Sequence, residues 1–257
     1  MSRSLWLAAL VLTASAAAAQ NTDIASALAE GGEAVARFDL NKAITAYQTA
    51  LKIDPNNYDA NWKSARAYAD KATLGPENPG EQKKLCVEAA HFAREAVRLN
   101  PDDSKGHVYL AIAVGKLALY EGGKRKVELS NEVKREAEKA AKINPKEDLA
   151  YHVLGIWYRE MAELNWMLKE FAEFLYGKFA PASLDQALSN LRKATELAPN
   201  VVAHHVELGI TLADARQWIE ADKELERAMS MPKAWVTDDH YKALAKQTLE
   251  RVKQHLK

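Results

Sequence analysis

The chain has 257 residues, with 35 lysines and arginines against 35 aspartates and glutamates, 48% hydrophobic residues and one cysteine. That size and balance support a large buried core and exclude a disordered chain, a collagen-like repeat and a disulfide-stapled scaffold. Zero formal charge also argues against nucleic acid as a partner, because phosphate binding draws on a clustered excess of cations. The 46 alanines favour helices, since alanine loses no side-chain entropy in a helix and lets backbones approach.

In chain order, the first element reads as a targeting segment. Arg3 supplies a positive charge, Leu5 to Ala14 an uncharged apolar stretch, and Ala17-Ala18-Ala19 a small-residue exit before Gln20. The apolar part is shorter than the roughly 20 residues of a spanning helix. The expectation is a signal peptide over 1–19, cleaved near Ala19/Gln20, and an exported chain, periplasmic or secreted, over 20–257. Cys86 has no partner for an internal disulfide and reads as a small buried residue.

The rest of the chain repeats. Prolines end four similar phrases, Ile53-Asp54-Pro55, Leu99-Asn100-Pro101, Ile143-Asn144-Pro145 and Leu197-Ala198-Pro199, with Met231-Pro232 as a looser fifth. Ala50, Ala96, Ala140 and Ala194 precede the first four, and Ala228 precedes the fifth. Further back lie Ala43, Ala89, Val133, Ala187 and Ala221, and upstream of those Gly31, Ala65, Ala111, Gly155 and Gly209. Two antiparallel helices close on each other only where neither presents a bulky side chain, and proline then stops the second helix. The pattern resembles the tetratricopeptide repeat of 34 residues. It predicts an all-α, right-handed superhelix of five hairpins over about 24–57, 58–103, 104–147, 148–201 and 202–234, with a capping helix over 238–257.

Repeats two, three and four are longer than the consensus, and each extra stretch falls between its two helices. Leu74 to Gly80 reads as a turn-forming loop, and Leu119 to Lys126 as two glycines followed by a basic cluster. The stretch from Met161 to Ala182 reads as a helix rich in aromatic residues, among them Trp166, Phe171, Phe174 and Tyr176. With these insertions the likeness narrows. His152 to Tyr158, Leu164-Asn165-Trp166, Phe174 to Gly177, Ala187 to Ala194 and Leu119 to Lys126 together resemble the tetratricopeptide domain of the regulator of microtubule dynamics family. The resemblance implies a non-enzymatic binding module, some of whose members are associated with lipid and organelle contacts. An exported chain would meet no microtubules, so only the fold and the binding character carry over.

In tetratricopeptide folds the concave face is lined by positions 2, 5, 9 and 12 of each first helix. In this register the candidate ligand-binding residues are Leu28, Trp62, Arg66, Lys105, Val108, Ile112, His152, Ile156, Arg159, Val206 and Ile210. They predict a greasy groove with a few fixed charges. No repeat carries the lysine and asparagine pair at positions 5 and 9 that clamps chaperone tails. The aromatic insertion either covers this groove as a lid over a slot or fills it as core.

Catalytic signatures are lacking: there is no H-E-x-x-H, no C-x-x-C and no phosphate loop, and adjacent His204 and His205 point apart on a helix. No cofactor or metal is expected. His152 reads as a hydrogen-bonded groove residue, and Lys124-Arg125-Lys126 as solvated charge. The expectation is therefore a monomeric scaffold that binds a protein or an extended peptide through its concave groove. The alternative is a carrier of phospholipid or another hydrophobic ligand, in a cavity covered by the 161–180 insertion. If the leader is removed as read, N-terminal sequencing of the mature protein begins at Gln20. An intact Met1 sinks that expectation.

Overall fold

A computed structural model describes residues 3–75, 78–164 and 182–257. Among them run eleven helices: α1 (Arg3–Ala36), α2 (Leu40–Ile53), α3 (Tyr58–Leu74), α4 (Pro79–Leu99), α5 (Ser104–Ala118), α6 (Gly123–Ile143), α7 (Asp148–Glu163), α8 (Leu184–Leu197), α9 (Val202–Asp214), α10 (Trp218–Ser230) and α11 (Asp238–His255). Sequential pairs α1–α2, α3–α4, α5–α6, α7–α8 and α9–α10 pack as hairpins, and each second helix packs on the first helix of the next pair. The all-α hairpin array expected from the repeats is the fold observed. Helix α11 closes the end on α10 and α9, stacking His255 on Trp218 at a centroid separation of 4.1 Å.

The small residues act at the helix crossings, in two complementary ways. A methyl group built on Gly31 would sit 2.2 Å from Tyr47, on Gly155 2.4 Å from Leu191, and on Gly209 2.6 Å from Leu225. Each glycine thus accommodates a bulky partner across its hairpin. Repeats two and three share the space differently: Ala65 and Ala111 replace the glycine, and the register equivalents of the bulky partners shrink to Ala93 and Ala137, all of them fully buried. The alanine pairs carry fewer side-chain atoms than the glycine pairs, but in both arrangements one or both helices present a small residue at the crossing, as close packing requires.

The alanine ahead of each proline has a second task. The residue just before the proline turns out of the helix and donates its N–H to that alanine's carbonyl: Asp54 to Ala50 (2.9 Å), Asn100 to Ala96 (2.9 Å), Asn144 to Ala140 (2.9 Å) and Ala198 to Ala194 (3.0 Å). The following proline disfavours helical geometry at the residue before it, so the helix ends there with a satisfied cap.

A third device is invisible as a motif. Position 4 of the first helix in repeats two to five donates to the carbonyl of the proline six residues earlier: Asn61 Nδ2 to Pro55 (3.1 Å), His107 Nε2 to Pro101 (2.9 Å), Tyr151 Oη to Pro145 (3.3 Å) and His205 Nε2 to Pro199 (2.9 Å). Four side chains of three kinds satisfy the same exposed carbonyl and fix how one hairpin follows another. Both histidines also place Nδ1 2.6 Å from a carboxylate of the neighbouring second helix, Glu136 and Glu224 respectively.

Repeats one and five are joined by the same tight turn, with Phe38 and Arg216 at φ 62° and 58°. Their neighbours close matching bonds, Asp39 N to Ala34 O at 2.9 Å and Gln217 N to Leu212 O at 2.8 Å. In repeats two and three the additional residues mostly lengthen the helices. The loop read over Leu74–Gly80 is shorter than expected: Leu74 ends α3, Asn78 caps α4 through Gly80 N at 2.8 Å, and Pro79 occupies the first turn, where its missing N–H costs nothing. The basic Lys124-Arg125-Lys126 lies in the first turn of α6, paired in part with Glu128. Cys86 is 1% exposed, as expected of a core residue.

The crossing argument makes a sharp prediction. Gly155→Ala should lower urea-denaturation stability by about 1–3 kcal/mol through overpacking. Adding Leu191→Ala should recover part of that loss as a coupling energy. Full additivity of the two substitutions would contradict the close approach.

Candidate functional site

The structure separates the predicted groove residues into two groups. Val108 and Val206 are fully buried between helices and line nothing; this corrects their assignment to the groove surface, because successive hairpins pack so closely that position 5 is sealed in repeats three and five. Leu28, Trp62, Arg66, Ile112, Ile156 and Ile210 are partly buried, and Lys105 is exposed. Of the lid residues, Trp166, Phe171, Phe174 and Tyr176 lie outside the described residues.

What borders the inner face at repeats one and two is the segment between α10 and α11. Asp238, 1% exposed, accepts the N–H groups of Ala234 and Trp235, both at 2.8 Å, and so shapes this segment from the N-terminus of α11. Trp235 then lies over the Arg66 guanidinium at 4.3 Å, and Lys233 lies over the Phe38 ring at 4.9 Å. Two reciprocal cation–π contacts therefore join the end of the array to its beginning, each worth roughly 0.5–2 kcal/mol. Nothing in the local sequence around Pro232 announces this long-range contact.

Beside the clasp is a cavity of about 400 Å³, walled by Val35, Tyr47, Trp62, Ala234 and Trp235, with Lys63, Arg66 and Asp70 also lining it. The Trp62 indole is held by its Nε1 donating to Asp59 at 2.8 Å and by stacking on Tyr109 at 5.6 Å, with the rings 9° from parallel. Lys105 and Lys63 lie over the same indole at 5.1 and 5.5 Å. Trp62 is thus a rigid aromatic plate ringed by cations.

Between the first helices of repeats four and five lies a set of buried charged and polar groups. Arg159, 7% exposed, donates to Glu207 at 2.7 Å and to Thr211 at 3.2 Å. Burial opposes the Arg159 charge, but Glu207 outweighs it and holds the guanidinium firmly protonated. Arg66 pairs with Asp70 at 3.5 Å. A buried histidine chain joins repeats four and five: His204 Nε2 donates to Asp148 at 2.7 Å, and its Nδ1 lies 3.0 Å from His152 Nδ1. Burial, then His204, Arg159 and Lys116, push His152 well below the ordinary imidazole range, so its neutral form is favoured. Asp70, Lys116, Asp148 and Glu207 escaped the sequence reading, and His204 was weighed only as a ligand beside His205. Asp70 and Lys116 share position 13 of their helices, one residue beyond the positions taken as groove, and that shared register is the signal that would have found them.

Paired helices, proline-stopped turns and a concave inner face define a tetratricopeptide-like repeat protein. TTC0263, a thermophilic TPR protein of Thermus thermophilus, has the same fold, with a TM-score of 0.65, 18% identity, and 87% of this chain matching 99% of that one. The pilF protein of Pseudomonas aeruginosa matches with a TM-score of 0.54 at 15% identity, over 91% and 93% of the two chains. At the level of sequence, the family model "Regulator of microtubule dynamics protein 1-3" covers residues 25–253, and the chain belongs to that family.

Among family members, regulator of microtubule dynamics protein 1 of Bos taurus is 31% identical over 147 residues, 57% of this chain and 46% of its own length. The Pongo abelii protein is 29% identical over 200 residues, 78% of this chain and 61% of its own. The chain spans about half the length of these relatives.

The neutral His152 gives the fold a pH dependence of definite sign. Its folded-state affinity for protons lies below that of the unfolded chain, whose histidine titrates near 6.5, so its contribution is complete above that pH and lost as pH falls below it. The urea midpoint should therefore drop between about pH 7.5 and pH 5.5, and His152→Gln should show a smaller drop. An equal drop in both proteins would remove His152 as the cause.

Proposed function

We propose that this chain acts as a non-enzymatic scaffold that takes an extended segment of a partner protein on its inner face, beside the C-terminal clasp. The observation that carries the reading is the cavity walled by Trp62, Tyr47, Val35 and Trp235 with Lys63 and Arg66 in its lining. At about 400 Å³ it falls in the size range of ligand pockets and suits an apolar side chain or two of an extended segment. The rigid indole of Trp62 supplies contact area at little entropic cost, and the surrounding cations favour acidic groups next to the apolar anchor. Repeat arrays offer surface rather than chemistry, and the family's character agrees.

The hydrophobic-carrier alternative is weakened by the lining itself. Arg66, Asp70, Lys116, Arg159 and Glu207 gather along the inner side, and an acyl chain laid against them would desolvate charges without pairing them.

Selection of a displayed random-peptide library on the purified chain should enrich sequences with an aromatic or aliphatic anchor next to acidic residues. Trp62→Asp should weaken the selected peptides at least about tenfold, equivalent to about 1.4 kcal/mol, at an unchanged helical signal. Retained affinity in Trp62→Asp would place binding elsewhere.

A further inference from the structure

The segment from Met231 to Thr237 links α10 to α11 and lies against the first two repeats as a strap. Its shape is fixed from its own end of the array: Asp238 accepts the amides of Ala234 and Trp235, Lys242 Nζ donates to the Met231 carbonyl, and Lys233 pairs with Asp239. Its hold on the other end is of a different kind. Trp235 lies over the Arg66 guanidinium at 4.3 Å and Lys233 over the Phe38 ring at 4.9 Å, and among the described residues no hydrogen bond or ion pair joins the strap to α1, α2 or α3. Trp235 and Phe38 each keep 38% of their surface exposed. The strap is therefore a preformed unit that rests on the first repeats through side chains alone, and lifting it breaks no backbone bond. Its Ala234 and Trp235 also form one wall of the cavity beside Trp62.

That wall limits what can bind while the strap is down. A cavity of about 400 Å³ takes a side chain or two, so a polypeptide segment that continues along the inner face past Ala234 and Trp235 has to occupy the strap's place. From this geometry we infer that the strap is an internal ligand of the inner face, and that a partner segment displaces it by seating an aromatic residue of its own on Arg66. The inference rests on the scaffold reading and narrows its partner to a segment with two apolar anchors, one beside Trp62 and an aromatic one at the Trp235 position. Arg66 sets the second requirement, since a flat guanidinium stacks on a ring far better than on an aliphatic side chain. The contact is also autoinhibitory. A tethered strap acts at an effective concentration on the order of millimolar, and a partner's apparent affinity is reduced by the fraction of molecules in which the strap is seated.

Two measurements on the full chain test this. In the first, an acetylated and amidated peptide copying residues 231–237 is titrated into the parent and into Trp235→Ala, with an unchanged helical signal confirming that the variant is folded. Removing the internal competitor should tighten binding at least about threefold, and adding Arg66→Gln should abolish that gain. In the second, the parent is labelled with fluorotryptophan, and the fluorine resonance missing from Trp235→Phe identifies Trp235. Saturation with peptides selected on the parent should move that resonance. The inference is overturned if Trp235→Ala binds the strap peptide no more tightly than the parent or not measurably, which would make Trp235 a plain wall of the cavity. A gain that survives Arg66→Gln, or a Trp235 resonance unmoved at saturation, overturns it as well. Selected peptides that require Trp62 but leave the Trp235 resonance in place would remove the strap's role and keep the scaffold reading. A strap-peptide gain in Trp235→Ala beside selected peptides indifferent to Trp62 would support the strap and remove the anchor at Trp62.

Discussion

How closely two helices approach within a hairpin governs everything else in this molecule. Each crossing contains a small residue, glycine against tyrosine or leucine in three repeats and alanine against alanine in two. That closeness sets the angle of each hairpin, the angles set the curvature of the stack, and the curvature brings α3, α5, α7 and α9 around a common interior. A larger residue at one crossing would perturb the concavity as well as one local contact, because side chains as far apart in sequence as Arg66 and Trp235 meet only through the accumulated curvature.

The fold was legible because its determinants are local and periodic. Alanine five residues before proline, and small residues at the crossings, leave a mark at every turn of the chain. The latch at position 4 was not legible, for a chemical reason. Asparagine, histidine and tyrosine all reach the same proline carbonyl, so selection for a donor leaves no consensus letter.

The candidate site was read only in part. Trp62 and Arg66, read as groove residues, line the cavity beside the clasp. Val108 and Val206 were not surface residues, since tight stacking turns position 5 into core in their repeats. The ion pairs of Arg66 with Asp70 and of Arg159 with Glu207 were missed because the register stopped one residue short of Asp70, and because Glu207 occupies position 6 rather than a recognised groove position. The segment from Lys233 to Trp235 was beyond reach of local reasoning, as its partners are some 170 to 200 residues away in the chain.

Open repeat arrays unravel from their ends, since terminal units have one neighbour where interior units have two. Here the contacts of Trp235 with Arg66 and of Lys233 with Phe38 give both ends an additional neighbour, so the stack approximates a ring. Fraying at either terminus must first break that closure, which couples the two most distant units thermodynamically. Unfolding should therefore be more all-or-none than the linear order of the hairpins suggests.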